Sequence, residues 1–217
     1  RGLLSVSTFL NLIWSLSMSN ESPQAIRAEA LESILIEKGL LTAEAVDDII
    51  TRYSERVGPM NGARLVARAW ADPQFKEQLL TDATSIVESF GFEAGQVEKL
   101  VVVENTDKVH NAVVCTLCSC YPWAVLGLPP KWYKDPAYRS RIVMEPRQLL
   151  AEMGVGLGSN VEIQIWDSSA EIRYMVLPMR PPGTQNLKEE QLAELVTRGS
   201  MIGVEVLGGV EVPGELS

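Results

Sequence analysis

The sequence predicts an α+β chain, helical over its first part and mixed over the rest. Two observations carry this. Apolar residues recur at helical spacing from Ser22 to about residue 90, between capping openings and glycine stops. After Gly95, short β-branched runs appear, interrupted by prolines and by further helical stretches.

Ser22-Pro23 opens the first helix, with a hydroxyl cap and then proline at the first helical position. Ile26, Ala30, Ile34 and Lys38 share one face with Leu31 and Leu35 beside it, and Gly39 closes the helix. Thr42 opens a second helix, whose stripe is Val46, Ile49, Ile50 and Tyr53 and whose stop is Gly58-Pro59. Residues 61–71 form a third helix, Asp72-Pro73 caps a fourth, and 82–90 make a short fifth before Gly91. Residues 100–103 and 112–114 read as strands, the second running directly into Cys115. Pro122, Pro129 and Pro130 break the next stretch. Residues 146–153 are helical, from Glu145-Pro146 to Gly154. Residues 161–166 and 172–177 are two strands, expected to pair as a hairpin across Asp167-Ser168-Ser169-Ala170. Residues 188–196 form the last helix, before a stretch rich in Gly and Val. There is no internal repeat.

The apolar run within residues 1–17 is too short and too rich in Ser for a membrane span, and Met18-Ser19-Asn20 reads as a natural start. Residues 1–21 are therefore expected to be extraneous or disordered. A helical arm is expected over 22–92, and an α+β domain over 93–217.

Of the 217 residues, 46% are hydrophobic and 22% charged, enough apolar content for a packed core. The net charge of −9 argues against nucleic-acid binding, which needs a basic stripe. The chain has three cysteines, all between positions 115 and 120. An odd number cannot be fully paired, and a disulfide between such near neighbours is strained. They read as thiolates kept for a metal or for redox chemistry, in a reducing, cytoplasmic setting.

The pattern is C-x-x-C-x-C: Cys115-Thr116-Leu117-Cys118-Ser119-Cys120. Structural zinc wants four ligands, usually from two well-separated pairs, and there is no fourth Cys. His110, at the end of a predicted turn, would make a cramped Cys3His site. Iron–sulfur clusters usually take four Cys. Three buried structural cysteines are the plain alternative. Cys118 and Cys120 flank one residue, so the peptide nitrogens of Ser119 and Cys120 lie between their sulfurs. With Cys115 binding axially, this makes a five-donor claw that leaves the sixth octahedral position open. Deprotonated amide nitrogens suit a trivalent ion better than Zn²⁺, and the open position suits a Lewis acid.

The segment V-C-T-L-C-S-C-Y-P-W, followed by L-G-L-P-P-K-W-Y-K, closely resembles the metal segment of nitrile hydratase α subunits. Lys38-Gly39-Leu40, Gly58-Pro59 with Asn61-Gly62-Ala63, residues 139–141 and the run Arg173 to Pro178 are similar to the same family. The resemblance runs from about residue 24 to 203. It implies a layered α-β-β-α domain and a metal held by Cys115, Cys118, Cys120 and the backbone of Ser119 and Cys120. It implies Cys118 as sulfinic acid and Cys120 as sulfenic acid. Thr116, with Tyr121, places the sequence with the cobalt(III) branch rather than the iron(III) one. Trp123 matches a substrate-pocket aromatic, and Gln96 a polar residue behind the site. Asp167, Glu171 and Arg173 match residues that support the metal, whereas His110, Trp132 and Tyr133 are expected to be structural.

The resemblance further implies a β subunit (αβ or α2β2) on which the arm packs, a nitrile substrate, and a metal-insertion activator protein, with neither nucleic acid nor membrane as partner. Either water or the Cys120 sulfenate would attack. The alternatives are the metal subunit of a thiocyanate hydrolase and a non-catalytic metal-binding subunit.

Overall fold

The computed structural model describes residues 23–51, 58–92, 99–118 and 120–208. Residues 1–17, Ser22, Tyr53, Gln96 and Ser119 lie outside the described residues, as do the side chains of Ile49 and Ile50. The chain divides between Ile50 and Thr51 into two units. No described helix is long and apolar enough to cross a membrane.

The first unit carries α1 (Pro23–Glu37) and all but the last residue of α2 (Ala43–Thr51). Gly39 ends α1 in the left-handed region at φ 66°, and the Leu40 N–H donates to the Leu35 carbonyl at 3.0 Å. Thr42 caps α2, its Oγ1 accepting from the Ala45 N–H at 3.1 Å. Of the apolar face read from the sequence, Ile26, Leu31 and Ile34 are exposed and Leu35 is half-buried, and Leu40 and Leu41 beyond the helix are exposed too.

The second unit holds α3 (Pro59–Ala71), α4 (Pro73–Thr81), α5 (Ala83–Ser89), β1 (Lys99–Glu104) and β2 (Val109–Val114). After these come α6 (Trp123–Leu126), a 3₁₀ turn (Lys131–Lys134), α7 (Pro136–Met144) and α8 (Pro146–Glu152). The chain then runs through β3 (Glu162–Asp167), β4 (Ile172–Leu177), α9 (Glu189–Leu195) and α10 (Arg198–Ile202). Asp72 caps α4 by accepting from the Gln74 and Phe75 N–H groups at 2.9 and 3.1 Å. Among the described residues, the helices α3–α5 share a core with the strands, including Leu65, Leu79, Leu126, Met175 and Ile202. Each such buried side chain contributes about 1.5–3 kcal/mol relative to exposure.

The fold is α+β, with two small parallel sheets and helices packed on them. β1 pairs with β4, and β2 with β3. The sheets touch through β2 and β4, while α5 packs on β1, α8 on β3 and α10 on β4. The expected hairpin of β3 with β4 is therefore corrected: the two strands belong to different sheets. Their link steps between layers instead of folding back. Ser168 is buried and donates its N–H to the Val114 carbonyl at 2.7 Å, which extends β3 along β2 before the chain departs. Ser169 makes a tight local turn, its N–H bonding the Ile172 carbonyl at 2.9 Å. A second correction concerns His110, which lies within strand β2 and not at the end of a turn.

Two glycines set how closely the layers approach. A Cβ on Gly62 would lie 2.7 Å from both the Val125 carbonyl and the Met201 sulfur, so α3 can sit against α6 only with glycine there. Its neighbour Asn61 reaches across, donating from Nδ2 to the Ala124 carbonyl at 2.9 Å. Gly203 ends α10 at φ 88°, and a Cβ there would meet the Asn111 carbonyl at 2.0 Å. The motif around residues 58–63 thus braces the short helix that follows the cysteine segment.

Candidate metal centre

Parallel pairing brings the C-terminal ends of β2 and β3 level, with Val114 opposite Asp167. The chain leaves β2 at Cys115, which is buried. Asp167 then takes hold of the next residue with both oxygens. The Thr116 N–H donates to Oδ1 at 2.9 Å, and the Thr116 hydroxyl donates to Oδ2 at 2.6 Å. The segment bends so that the Cys118 N–H donates to the Cys115 sulfur at 3.2 Å. Leu117, at 90% exposure, marks the outer tip. The chain returns inward at buried Cys120, whose carbonyl accepts from the Tyr133 hydroxyl at 3.1 Å, and enters α6 at Trp123.

The bend gathers three sulfurs. Cys115 and Cys118 Sγ lie 3.4 Å apart, Cys118 and Cys120 Sγ 2.9 Å apart, and all three fall within 4.8 Å of one another. No disulfide joins any of the three. The separations exceed a disulfide bond of about 2.05 Å. They bracket the roughly 3.3 Å expected between adjacent octahedral corners at a metal–sulfur distance of about 2.3 Å. Electrostatics agrees. Burial, hydrogen bonding with Cys118 and the charge of Cys115 push the Cys120 thiol up to about 12, and the Arg173 guanidinium works against them. At Cys120, burial and the neighbouring sulfurs hold the thiol protonated, and a multivalent cation would favour its thiolate form.

The cluster is a group of three, with no His, Asp or Glu ligand atom joining it among the described residues. His110 does not supply a fourth ligand. Its Nε2–H donates to the Gly203 carbonyl at 2.8 Å, and Asn105 Nδ2 lies 3.3 Å from its Nδ1. Burial holds its pKa below the usual histidine value. The ring is a satisfied core histidine, and the Cys3His arrangement is not formed.

Cys115, Cys118, Cys120, Asp167 and Arg173 are brought together. Arg173 is buried in β4, paired in register with Leu100, and its charge is felt at Cys120. Trp123 is the first residue of α6, partly exposed just beyond the claw. Glu171 sits in the β3–β4 link, exposed, accepting from the Ser169 hydroxyl at 2.9 Å. Gln96 and Ser119 lie outside the described residues. Sequence reasoning passed over Tyr138 and gave Tyr133 no part in the site. Tyr133, read as packing alone, bonds the Cys120 carbonyl, and the Tyr138 hydroxyl bonds the Val113 carbonyl at 2.8 Å.

Comparison with known proteins agrees with this geometry. Residues 22–205 match the family described as nitrile hydratase, alpha chain. The chain is 59% identical over 192 residues to the low-molecular weight cobalt-containing nitrile hydratase subunit alpha of Rhodococcus rhodochrous, covering 88% of this chain and 92% of that one. It is 56% identical over 180 residues to the cobalt-containing nitrile hydratase subunit alpha of Pseudonocardia thermophila, covering 82% and 88%. The gamma subunit of thiocyanate hydrolase from Thiobacillus thioparus is 43% identical over 190 residues, covering 82% and 77%. Among solved structures, a double mutant of the Fe-type nitrile hydratase from Comamonas testosteroni Ni1 superposes with a TM-score of 0.81 at 40% identity, covering 91% of this chain and 98% of that one. With a family match across most of its length and a cysteine cluster of metal-binding geometry, this chain belongs to the nitrile hydratase α-chain family.

Proposed function

We propose that this chain is the metal-carrying catalytic subunit of a cobalt nitrile hydratase, which hydrates nitriles to amides in a cytoplasmic complex with a β subunit. The observation that carries the reading is the trio of sulfurs at ligand spacing on a loop pinned by Asp167. Cys115, Cys118 and Cys120, with the amide nitrogens of Ser119 and Cys120, would hold the ion. When bound, cobalt(III) supplies a Lewis acid that draws electron density from the nitrile and makes its carbon electrophilic.

The chain's own residues prepare that site. Asp167 fixes the start of the loop through Thr116, so the sulfurs keep their spacing. Arg173 places a cation by Cys120, whose sulfur becomes anionic as sulfenate, next to a Cys118 sulfinate. Trp123 contributes a partly exposed aromatic surface for the substrate's organic group, Glu171 offers an exposed carboxylate in the β3–β4 link, and Gln96 is given a supporting role by the family resemblance alone. Arginines of the β subunit supply further countercharge.

Within the helical segment 22–92, α1 and α2 dock on β, which would cover Ile26, Leu31 and Ile34, while α3–α5 complete the core of the metal domain. An activator protein delivers the metal. The higher identity to nitrile hydratase α subunits than to thiocyanate hydrolase favours nitriles over thiocyanate.

The test is metal analysis with peptide mass measurement and turnover assays on the purified complex. The expected result is about one cobalt per chain, oxygen added on the peptide carrying Cys118 and Cys120, and turnover of nitriles. Full zinc occupancy with cobalt absent, or three unmodified thiols in an active preparation, overturns the reading. Turnover of thiocyanate with nitriles inert reassigns the substrate.

A further inference from the structure

Among its described residues the cysteine loop has little regular structure, and its tip is open, with Leu117 and Cys118 exposed. The sulfur spacing therefore depends on where the two ends of the loop are held. Asp167 holds Thr116, near the start. Two further donors reach the backbone just before and just at the end of the loop. The Tyr138 hydroxyl donates to the Val113 carbonyl at 2.8 Å, two residues ahead of Cys115. The Tyr133 hydroxyl donates to the carbonyl of Cys120 itself at 3.1 Å.

Both donors come from one short, stiff stretch. Tyr133 lies in the 3₁₀ turn and Tyr138 in the first turn of α7. Between them Asp135 closes the turn, its N–H bonding the Trp132 carbonyl at 3.0 Å, and caps α7 by accepting from the Ala137 N–H at 2.8 Å. The rings are mutually packed. Tyr133 and Tyr138 centroids lie 6.0 Å apart, Tyr121 meets Tyr133 edge-on at 5.0 Å, and Trp132 meets Tyr138 at 4.8 Å. Both tyrosines are buried. A phenol is neutral at working pH, so both hydroxyls are available as donors. A carbonyl can only accept, so the direction of both bonds is fixed.

We propose that Tyr133 and Tyr138 are paired positioning residues that hold the exit and entry of the cysteine loop at a fixed separation, so that it stays closed on its metal. The proposal rests on the metal-centre reading. Neither tyrosine touches the sulfurs or the substrate in this scheme; they act through the backbone of Val113 and Cys120. Removing a hydroxyl keeps the aromatic packing but takes one donor from one end of the loop.

The test uses the complete complex with Tyr133→Phe, Tyr138→Phe and the double variant. Ile142→Val, fully buried in α7, is the control that loosens packing without removing either donor. Three properties are read: cobalt release to a strong chelator, the sulfur-to-cobalt absorption band, and kcat against KM. Each Phe variant is expected to release cobalt about fivefold faster, the factor corresponding to one ordinary hydrogen bond. The double variant is expected to release it faster than either single variant, by about five- to twenty-five-fold, because rings in contact need not contribute additively. The band shifts, and kcat falls with KM within about twofold of wild type. Ile142→Val lowers Tm but keeps the wild-type band and release rate.

Phe variants that lower Tm while keeping the wild-type band and release rate overturn the clamp, as does failure of both single variants to assemble. If one alone fails to assemble, the other is held to the same two outcomes. A wild-type complex without cobalt sinks the metal-centre reading itself, a result distinct from failure of the clamp.

Discussion

Asp167 and Thr116 stand 51 positions apart and are joined twice, the carboxylate taking the N–H of Thr116 at 2.9 Å and its hydroxyl at 2.6 Å. The pairing is possible only because β2 and β3 run parallel and end together. Two acceptors on one planar group hold both the backbone and the side chain of the residue between Cys115 and Leu117. The sheet thereby dictates where the loop begins.

Asp167→Asn retains one carbonyl acceptor and puts an NH₂ donor where the second oxygen was. One of the two bonds is lost, or the Thr116 hydroxyl must reverse. The group is exposed, so the expected cost is modest, about 1 kcal/mol of loop order. Cobalt release to a chelator should rise by about five- to tenfold, with the global Tm nearly unchanged. Release at the wild-type rate would show that the loop does not depend on this pair.

Gly62→Ala tests the brace behind α6. Alanine in a helix interior is ordinarily better than glycine by about 0.5–1 kcal/mol. Here the sign reverses, because the new methyl would stand 2.7 Å from the Val125 carbonyl and from the Met201 sulfur. Methionine can swing away, but a backbone carbonyl cannot do so cheaply. The expected loss is about 1–3 kcal/mol, a Tm drop of roughly 2–12 °C. Gly156→Ala, where the added carbon meets nothing within 4 Å, should be close to neutral. Equal melting of the two variants would remove Gly62 from the account.

Much of this was legible in the sequence because it is written in local chemistry. Asp72 before Pro73, Thr42 before Ala43 and Gly39 after α1 each mark an end by satisfying backbone groups within a few residues. The clustering of the three sulfurs was legible for the same reason, since they are confined to six positions. The pairing of β3 was not. A short polar link looks alike whether it folds a strand back or passes it to another sheet. The choice was made by Ser168, whose N–H continues the ladder onto Val114. Tyr133 and Tyr138 were equally silent, since periodicity marks a buried ring but not where its hydroxyl points.

His110 yields a pH prediction. Its folded pKa is depressed by burial, so the unfolded chain takes up its proton first as pH falls. The stabilisation is fully present above the unfolded value of about 6.5 and is lost as pH drops through it toward the lower folded pKa. Against His110→Gln, wild type should therefore lose extra stability on going from pH 7.5 to 5, by no more than about 1.4 kcal/mol per pH unit. The comparison cancels the carboxylates that titrate in both proteins. Parallel stability curves for the two chains would rule out a neutral buried ring as the cause.

The uncovered face of α1 yields the last prediction. Ile26 and Ile34 lie eight residues apart on one helical face, with Leu31 beside them, and all three are exposed in the isolated chain. Water contact over such a stripe forfeits about 25 cal/mol for each Å² of apolar surface, which a docked partner would recover. A charge at Ile34 should then be nearly silent in the chain alone, because an exposed site usually tolerates substitution within about 0.5 kcal/mol. In the complex the same charge would be trapped at an apolar interface. Ile34→Glu is therefore expected to leave the Tm of the free chain within a degree or two, yet to weaken assembly with the β subunit tenfold or more, about 1.4 kcal/mol. Size-exclusion chromatography and titration calorimetry on the purified chains separate the two effects. If Ile34→Glu destabilises the free chain and leaves pairing intact, the stripe serves the chain's own fold and the docking role assigned to α1 falls.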